Sequence, residues 1–264
     1  MFAAKGVISS SYLPASGYDP SAQAFFTATG ITDLTIKDAV NTLVLSAKSN
    51  GWWTKCTTIY PMVGGTSTTC KYNLKDTTAY TLTEHGTISY ASTGVTGNGS
   101  TGYLDTGLAA NVLSQNDYHI SFYSRSNINN TEVEIGSRGS NIDNDCFLEI
   151  RTSDTTYFAE NSTVVNTINF LDTDSRGFYL GERTTSTHSE VYRNGTSKQT
   201  GGQTSAALNS QNIYICALNN NGTAAFFSTK ECAFATAGLS LGTTLETTMY
   251  SDIQVFQTSL SRQV

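Results

Sequence analysis

Two carboxylates at strand spacing stand in Glu132-Val133-Glu134-Ile135-Gly136-Ser137. Alternation along a strand would place both on one face, about 5 Å apart, where an acid and a nucleophile could work on a glycosidic bond with retention. No third acid follows the pair. The residues alone read as exposed strand carboxylates.

The three histidines stand apart: His85 before a Gly turn, His119 on the polar side of an alternating run, and His188 near a hairpin. None has a nucleophile motif beside it or lies at metal-ligand spacing, so each reads as a surface or hydrogen-bonded residue. Asn141-Ile142-Asp143-Asn144-Asp145 sets oxygen donors at alternate positions, so Asp143 and Asp145 are the candidate Ca²⁺ ligands, against a plain solvated Asx turn. No other cofactor is expected. The Asn-x-Ser/Thr sequons at Asn98, Asn129, Asn161, Asn194 and Asn221 follow from a chain rich in these residues.

The elements that position these residues follow from composition and period. Charged residues make up 14% of the 264, against about 25% in ordinary domains, and the polar positions fall to residues that favour strands and turns. Asp19-Pro20 opens a helix over 20 to 29 that Gly30 stops; Asp33 caps another over 34 to 49, with Ile36, Val40, Leu43, Val44 and Ala47 on one face and Gly51 at its end. Trp52 and Trp53 read as packing where these helices dock, with a sugar-stacking platform as the alternative. Beyond about Val63 short β-favouring runs recur between turn residues, at Gly86 to Ser92, Gly102 to Thr106, Tyr118 to Arg125, Glu132 to Gly136, Cys146 to Arg151, Gly177 to Arg183, Glu190 to Arg193, Asn212 to Leu218 and Thr223 to Phe234. In the run from 118, Tyr118, Ile120 and Phe122 alternate with polar residues, which predicts one buried face. Asn194-Gly195 predicts a tight hairpin. Thr243-Thr244-Leu245-Glu246 reads as a capping box for a last helix over 244 to 260, with Met249, Ile253, Phe256 and Leu260 on one face.

The expected fold is mainly β: an antiparallel jelly-roll sandwich over residues 65–242, after an extended arm (1–18) and a helical leader (19–64), and before a C-terminal helix (243–264) packed on the sandwich. The strands around Gly102-Tyr103-Leu104-Asp105-Thr106, Tyr118 to Phe122, Gly177-Phe178-Tyr179-Leu180-Gly181 and Val191-Tyr192-Arg193-Asn194-Gly195 resemble the concanavalin A-like, laminin G-like jelly-roll superfamily. The leader, with Gly30-Ile31-Thr32-Asp33 and Ile59-Tyr60-Pro61-Met62-Val63-Gly64-Gly65 followed by Lys71-Tyr72-Asn73-Leu74-Lys75-Asp76, is similar to leaders of tailed-phage virion proteins that carry such a domain. This resemblance implies a noncatalytic structural protein of a bacteriophage virion (a head fibre, capsid decoration or tail-associated protein), with attachment to a host-surface glycan. A soluble carbohydrate-binding module and a glycoside hydrolase are the alternatives. Hydrolases of the superfamily carry Glu-x-Asp-x-x-Glu on a strand, and here Glu134 stands for the Asp and the last acid is missing.

The net charge of −6, with basic residues scattered singly, argues against nucleic acid. No apolar stretch reaches the about 18 residues of a membrane span, and the first residues hold no continuous apolar core of an export signal. Phe2, Val7, Ile8, Tyr12 and Leu13 make the arm apolar enough to bind a partner, either another copy in a homo-oligomer or another virion protein. Cys56, Cys70, Cys146, Cys216 and Cys232 form no CxxC pair; they read as small buried hydrophobes, with a Cys56–Cys70 bridge as the alternative.

Overall fold

The computed structural model describes residues 17–140, 144–164 and 167–264. In chain order the elements are α1 (Pro20–Thr29), α2 (Leu34–Asn50), β1 (Cys56–Tyr60), α3 (Ser67–Cys70), β2 (Thr83–His85), β3 (Ile88–Ala91), β4 (Gly94–Gly97), β5 (Tyr103–Ala109) and β6 (Tyr118–Ser124). There follow β7 (Ile135–Arg138), β8 (Cys146–Thr152), β9 (Thr155–Ala159), β10 (Thr167–Leu171), β11 (Gly177–Thr185), β12 (His188–Arg193) and β13 (Thr196–Gly201). The chain ends with β14 (Asn212–Ile215), β15 (Leu218–Asn220), β16 (Thr223–Ala225), β17 (Cys232–Gly238) and α4 (Gly242–Ser259). Among the described residues no helix is long and apolar enough to cross a membrane.

Two sheets face each other in an antiparallel jelly-roll sandwich. The first runs β13-β12-β11-β6-β17-β4-β3, with β1 also on β17; the second runs β10-β9-β8-β7-β14-β5-β2, with the β15–β16 hairpin attached through β7. Between them pack Tyr118, Ile120, Phe122, Leu148, Ile150, Phe158, Tyr179, Ile213 and Ile215. The sheets approach closely at Gly181, where a Cβ would lie 2.3 Å from the Phe158 ring.

A third layer covers the outer face of the first sheet. Phe25, Val40, Leu43, Val44, Trp52, Met249, Ile253 and Phe256 from the helical segments meet Tyr123, Phe178, Leu180 and Phe234 from the strands. Both faces of β6 are therefore buried, and the expectation of one buried face is corrected. His119, on the helix side, is fully buried; its ring nitrogens meet the Leu239 carbonyl at 2.6 Å and Thr236 Oγ1 at 2.9 Å.

Local chemistry sets the helix ends. Asp19 and Asp33 accept N–H bonds from the first turns of α1 and α2, and Gly30 and Gly51 end them in the left-handed region. Asp252 of α4 ties to α2 and the turn after it, accepting from Asn50 Nδ2 at 2.9 Å and Trp52 Nε1 at 2.7 Å. Both Trp side chains are core residues.

Two expectations are revised and one alternative is removed. The first strand lies at Cys56–Tyr60, inside the stretch assigned to the leader, and pairs with β17, so helices and sandwich share one fold. The capping box does not form: α4 starts at Gly242 behind Leu241 without a capping side chain, and Glu246 turns inward, 3% exposed. All five cysteines are free and buried, which removes the Cys56–Cys70 bridge.

Candidate functional site

Helices cover the β6, β11 and β17 part of the first sheet, and among the described residues the second sheet has no helix on its outer face. Its β8–β9 half is partly roofed: Leu218 of β15 buries against Val133, Phe147 and Ala159. The β2–β5–β14 end carries an aromatic ladder. The His85 and Tyr103 rings stack at 4.6 Å with 7° between planes, and Tyr103 stacks on Tyr214 at 4.4 Å. Alternation explains their direction, because Leu104, Ile213 and Ile215 point into the core. Thr83, Asp105 and Tyr214 are register partners in one row across the same strands.

The ladder continues into the loop after β16. Phe227 lies 6.3 Å from Tyr103, and Phe226 is 44% exposed with φ at +50°. A bulky side chain in the left-handed region costs about 1–2 kcal/mol, so the fold must hold this loop from elsewhere. It does so through the Phe226 carbonyl, which accepts from Val133 N at 2.9 Å, and through the acidic pair noted in the sequence.

Glu132 and Glu134 are not exposed strand carboxylates. They precede β7, are 5% and 0% exposed, and close on the loop from beneath. Lys230 Nζ, fully buried, lies 3.2 Å from Glu132 Oε2 and 3.1 Å from Glu134 Oε1. Thr229 donates its N–H and hydroxyl to Glu132 at 3.0 and 2.7 Å, while Glu134 accepts from Ser228 Oγ at 3.0 Å and Ile150 N at 2.5 Å. Burial pushes the Glu134 carboxyl up to about 7 despite Lys230. Burial works against the Lys230 ammonium, yet the two carboxylates outweigh it and hold the group above its usual value. With its acceptors occupied and no open face, the pair braces the aromatic loop; the sequence missed this because Lys230 lies almost a hundred residues away.

The other expected positions are placed as follows. Asp145 is 6% exposed and pairs with Arg138, whose Nη2 lies 2.8 Å from its Oδ2, so a side-chain cation already occupies the Ca²⁺ candidate. Asp143 lies outside the described residues, as do Phe2, Val7, Ile8, Tyr12 and Leu13. Among the described residues no group of three or more His, Cys, Asp or Glu is arranged to hold a metal ion. His188 is half-exposed beside Glu190 at 3.5 Å.

No protein-family model matches the sequence, and among curated proteins none matches it. Similarity is found at the level of fold. The binding domain of botulinum neurotoxin DC, solved with rat synaptotagmin II, superposes with a TM-score of 0.56 at 13% identity, over 76% of this chain and 52% of that one. Domain 4 of AbnA, a GH43 extracellular arabinanase from Geobacillus stearothermophilus solved with arabinotriose, gives 0.50 at 14%, over 74% and 98%. A mutant of the NanB sialidase from Streptococcus pneumoniae gives 0.45 at 11%, over 58% of this chain and 25% of that one. The chain thus spans about half of the toxin chain and a quarter of the sialidase. At these identities the likeness shows the lectin-like β-sandwich fold alone.

Proposed function

We propose that this chain is a noncatalytic glycan-binding domain whose contact surface is the open end of the second sheet: Phe226, Phe227, Tyr103 and His85 beside Asp105 and Asn212. One observation carries the reading: a loop braced from below by a buried Lys–Glu network sets Phe227 beside an aromatic ladder on the sheet face that no helix covers, with the exposed, strained Phe226 next to it in the chain. Aromatic rings offer apolar area to the C–H faces of sugars, and the neighbouring carboxylate and amide suit hydroxyl groups. The fold shared with an arabinotriose-bound domain supports it.

The same network argues against hydrolysis. Glu132 and Glu134 are buried under Lys230, Ser228 and Thr229, where no glycosidic oxygen could reach them. The bacteriophage setting implied by the leader is compatible with glycan attachment and has its own test: incorporation of the tagged chain into particles. A glycan array probed with the full chain tests the central reading. Binding that is lost in Phe226→Ala and Tyr103→Ala with melting temperatures nearly kept is the expected result. Release of reducing sugar that disappears in Glu134→Gln would reverse it in favour of an enzyme.

A further inference from the structure

Asp105 sets which sugars the proposed surface accepts, an inference that rests on the glycan-binding reading. Two residues after Tyr103 on β5, it shares the outer face and stands between its register partners Thr83 and Tyr214. Gly107 N donates to its Oδ1 at 2.8 Å, and Asn212 Nδ2 reaches Oδ1 at 3.1 Å and Oδ2 at 3.2 Å. A carboxylate has about four acceptor directions, so capacity remains on Oδ2 for a donor from outside. Among the described residues no Lys, Arg or His forms an ion pair with it.

The neighbourhood is electronegative as well. The Tyr214 hydroxyl is held firmly protonated by burial, by Tyr103 and by the Asp105 charge. Of the Lys and Arg residues on the strands of this sheet, the nearest by strand order, Arg138 on β7, is engaged with Asp145 and stacked over Phe147 at 5.3 Å. A ligand carboxylate or sulfate set here would face an uncompensated like charge, which specific interfaces use to exclude wrong partners. A neutral sugar would instead donate hydroxyls to Oδ2 and lay an apolar face against the aromatic residues.

We infer that this surface selects uncharged glycans and rejects those presenting sialic acid, uronic acid or sulfate at the contact. The experiment takes neutral array hits and their matched sialylated or sulfated forms, titrated against the full chain and against Asp105→Asn. The neutral member should bind at least tenfold tighter, and Asp105→Asn should narrow that ratio. Anionic forms that bind as tightly, or a ratio unchanged in the variant, would overturn the inference while leaving glycan binding in place. Binding to no glycan of either kind would instead remove the glycan reading itself, and the inference with it.

Discussion

The carboxyl groups of Glu182 on β11 and Glu246 on α4 act on each other across the interface between sheet and helix, and each buries one oxygen that has no hydrogen-bond donor among the described residues. They are 0% and 3% exposed, and Leu241 N donates to the second oxygen of Glu182 at 2.8 Å. Glu190 and Tyr192 on β12 also face the pair, and neither brings a positive charge. Such an arrangement needs a proton between the two groups.

A pH dependence follows. Burial, with Glu246 beside it, pushes Glu182 up to about 9, and Glu246 is raised too, burial again being the main cause. The native state keeps a proton that the unfolded chain gives up near the usual carboxylate value, so this contribution is complete below about 4.5 and is lost as pH climbs toward 9. Glu134, raised to about 7, acts in the same sense over the lower part of that window. Buried His119, lowered to about 4, acts oppositely and costs stability as pH falls from about 6.5 toward 4. The melting temperature of Glu246→Gln should therefore decline less between pH 5 and 9 than that of the native chain. Parallel profiles would show that the pair holds no shared proton.

Removing Lys230 tests the brace under the aromatic loop. Lys230→Met leaves two carboxylates buried without their cation and should cost about 3–5 kcal/mol in urea unfolding. Adding Glu134→Gln should recover part of that loss. A cost under about 1 kcal/mol would mean that the loop is held without the ion pairs.

Phe226→Gly separates stability from recognition. Glycine adopts positive φ freely, so relief of strain should raise stability by up to about 1 kcal/mol while glycan binding falls. If binding is retained in the glycine variant, the ring is not part of the contact.

Phe256 anchors the last helix. It is 2% exposed and meets Phe234 edge-on, with ring centroids 6.0 Å apart, so Phe256→Ala should cost about 3–5 kcal/mol. Thermal melting checks this, and an unchanged transition would mean that α4 contributes little to the fold.

What the sequence disclosed depended on range. Asp19, Asp33, Gly30 and Gly51 act on their own turns, so α1 and α2 were legible nearly to the residue. Asn194 and Gly195, at φ +53° and +69°, likewise make the expected hairpin between β12 and β13. β13 itself, Thr196–Gly201, carries no apolar residue to announce it. The bracing network was hidden for a different reason: carboxylates near a strand look solvent-facing until a distant lysine is folded over them. The helical layer made β6 two-faced, since the polar side chains of His119 and Ser121 conceal burial by bonding Thr236. The open aromatic face could not be read, because His85, Tyr103, Tyr214 and Phe227 meet only across strand pairings.

The place of β17 bears on how the domain is made. This late strand lies in the interior of the first sheet, with β6 on one side and both β1 and β4 on the other, and Arg262 beyond α4 donates to the carbonyls of Pro61 and Met62 at 2.7 Å. During synthesis that sheet must wait with this slot empty and two strand edges unpaired until residues 232–238 have left the ribosome. Closure is therefore a late, long-range event of the slow kind typical of non-local pairing, and a chain interrupted before residue 232 would carry open edges prone to join other chains.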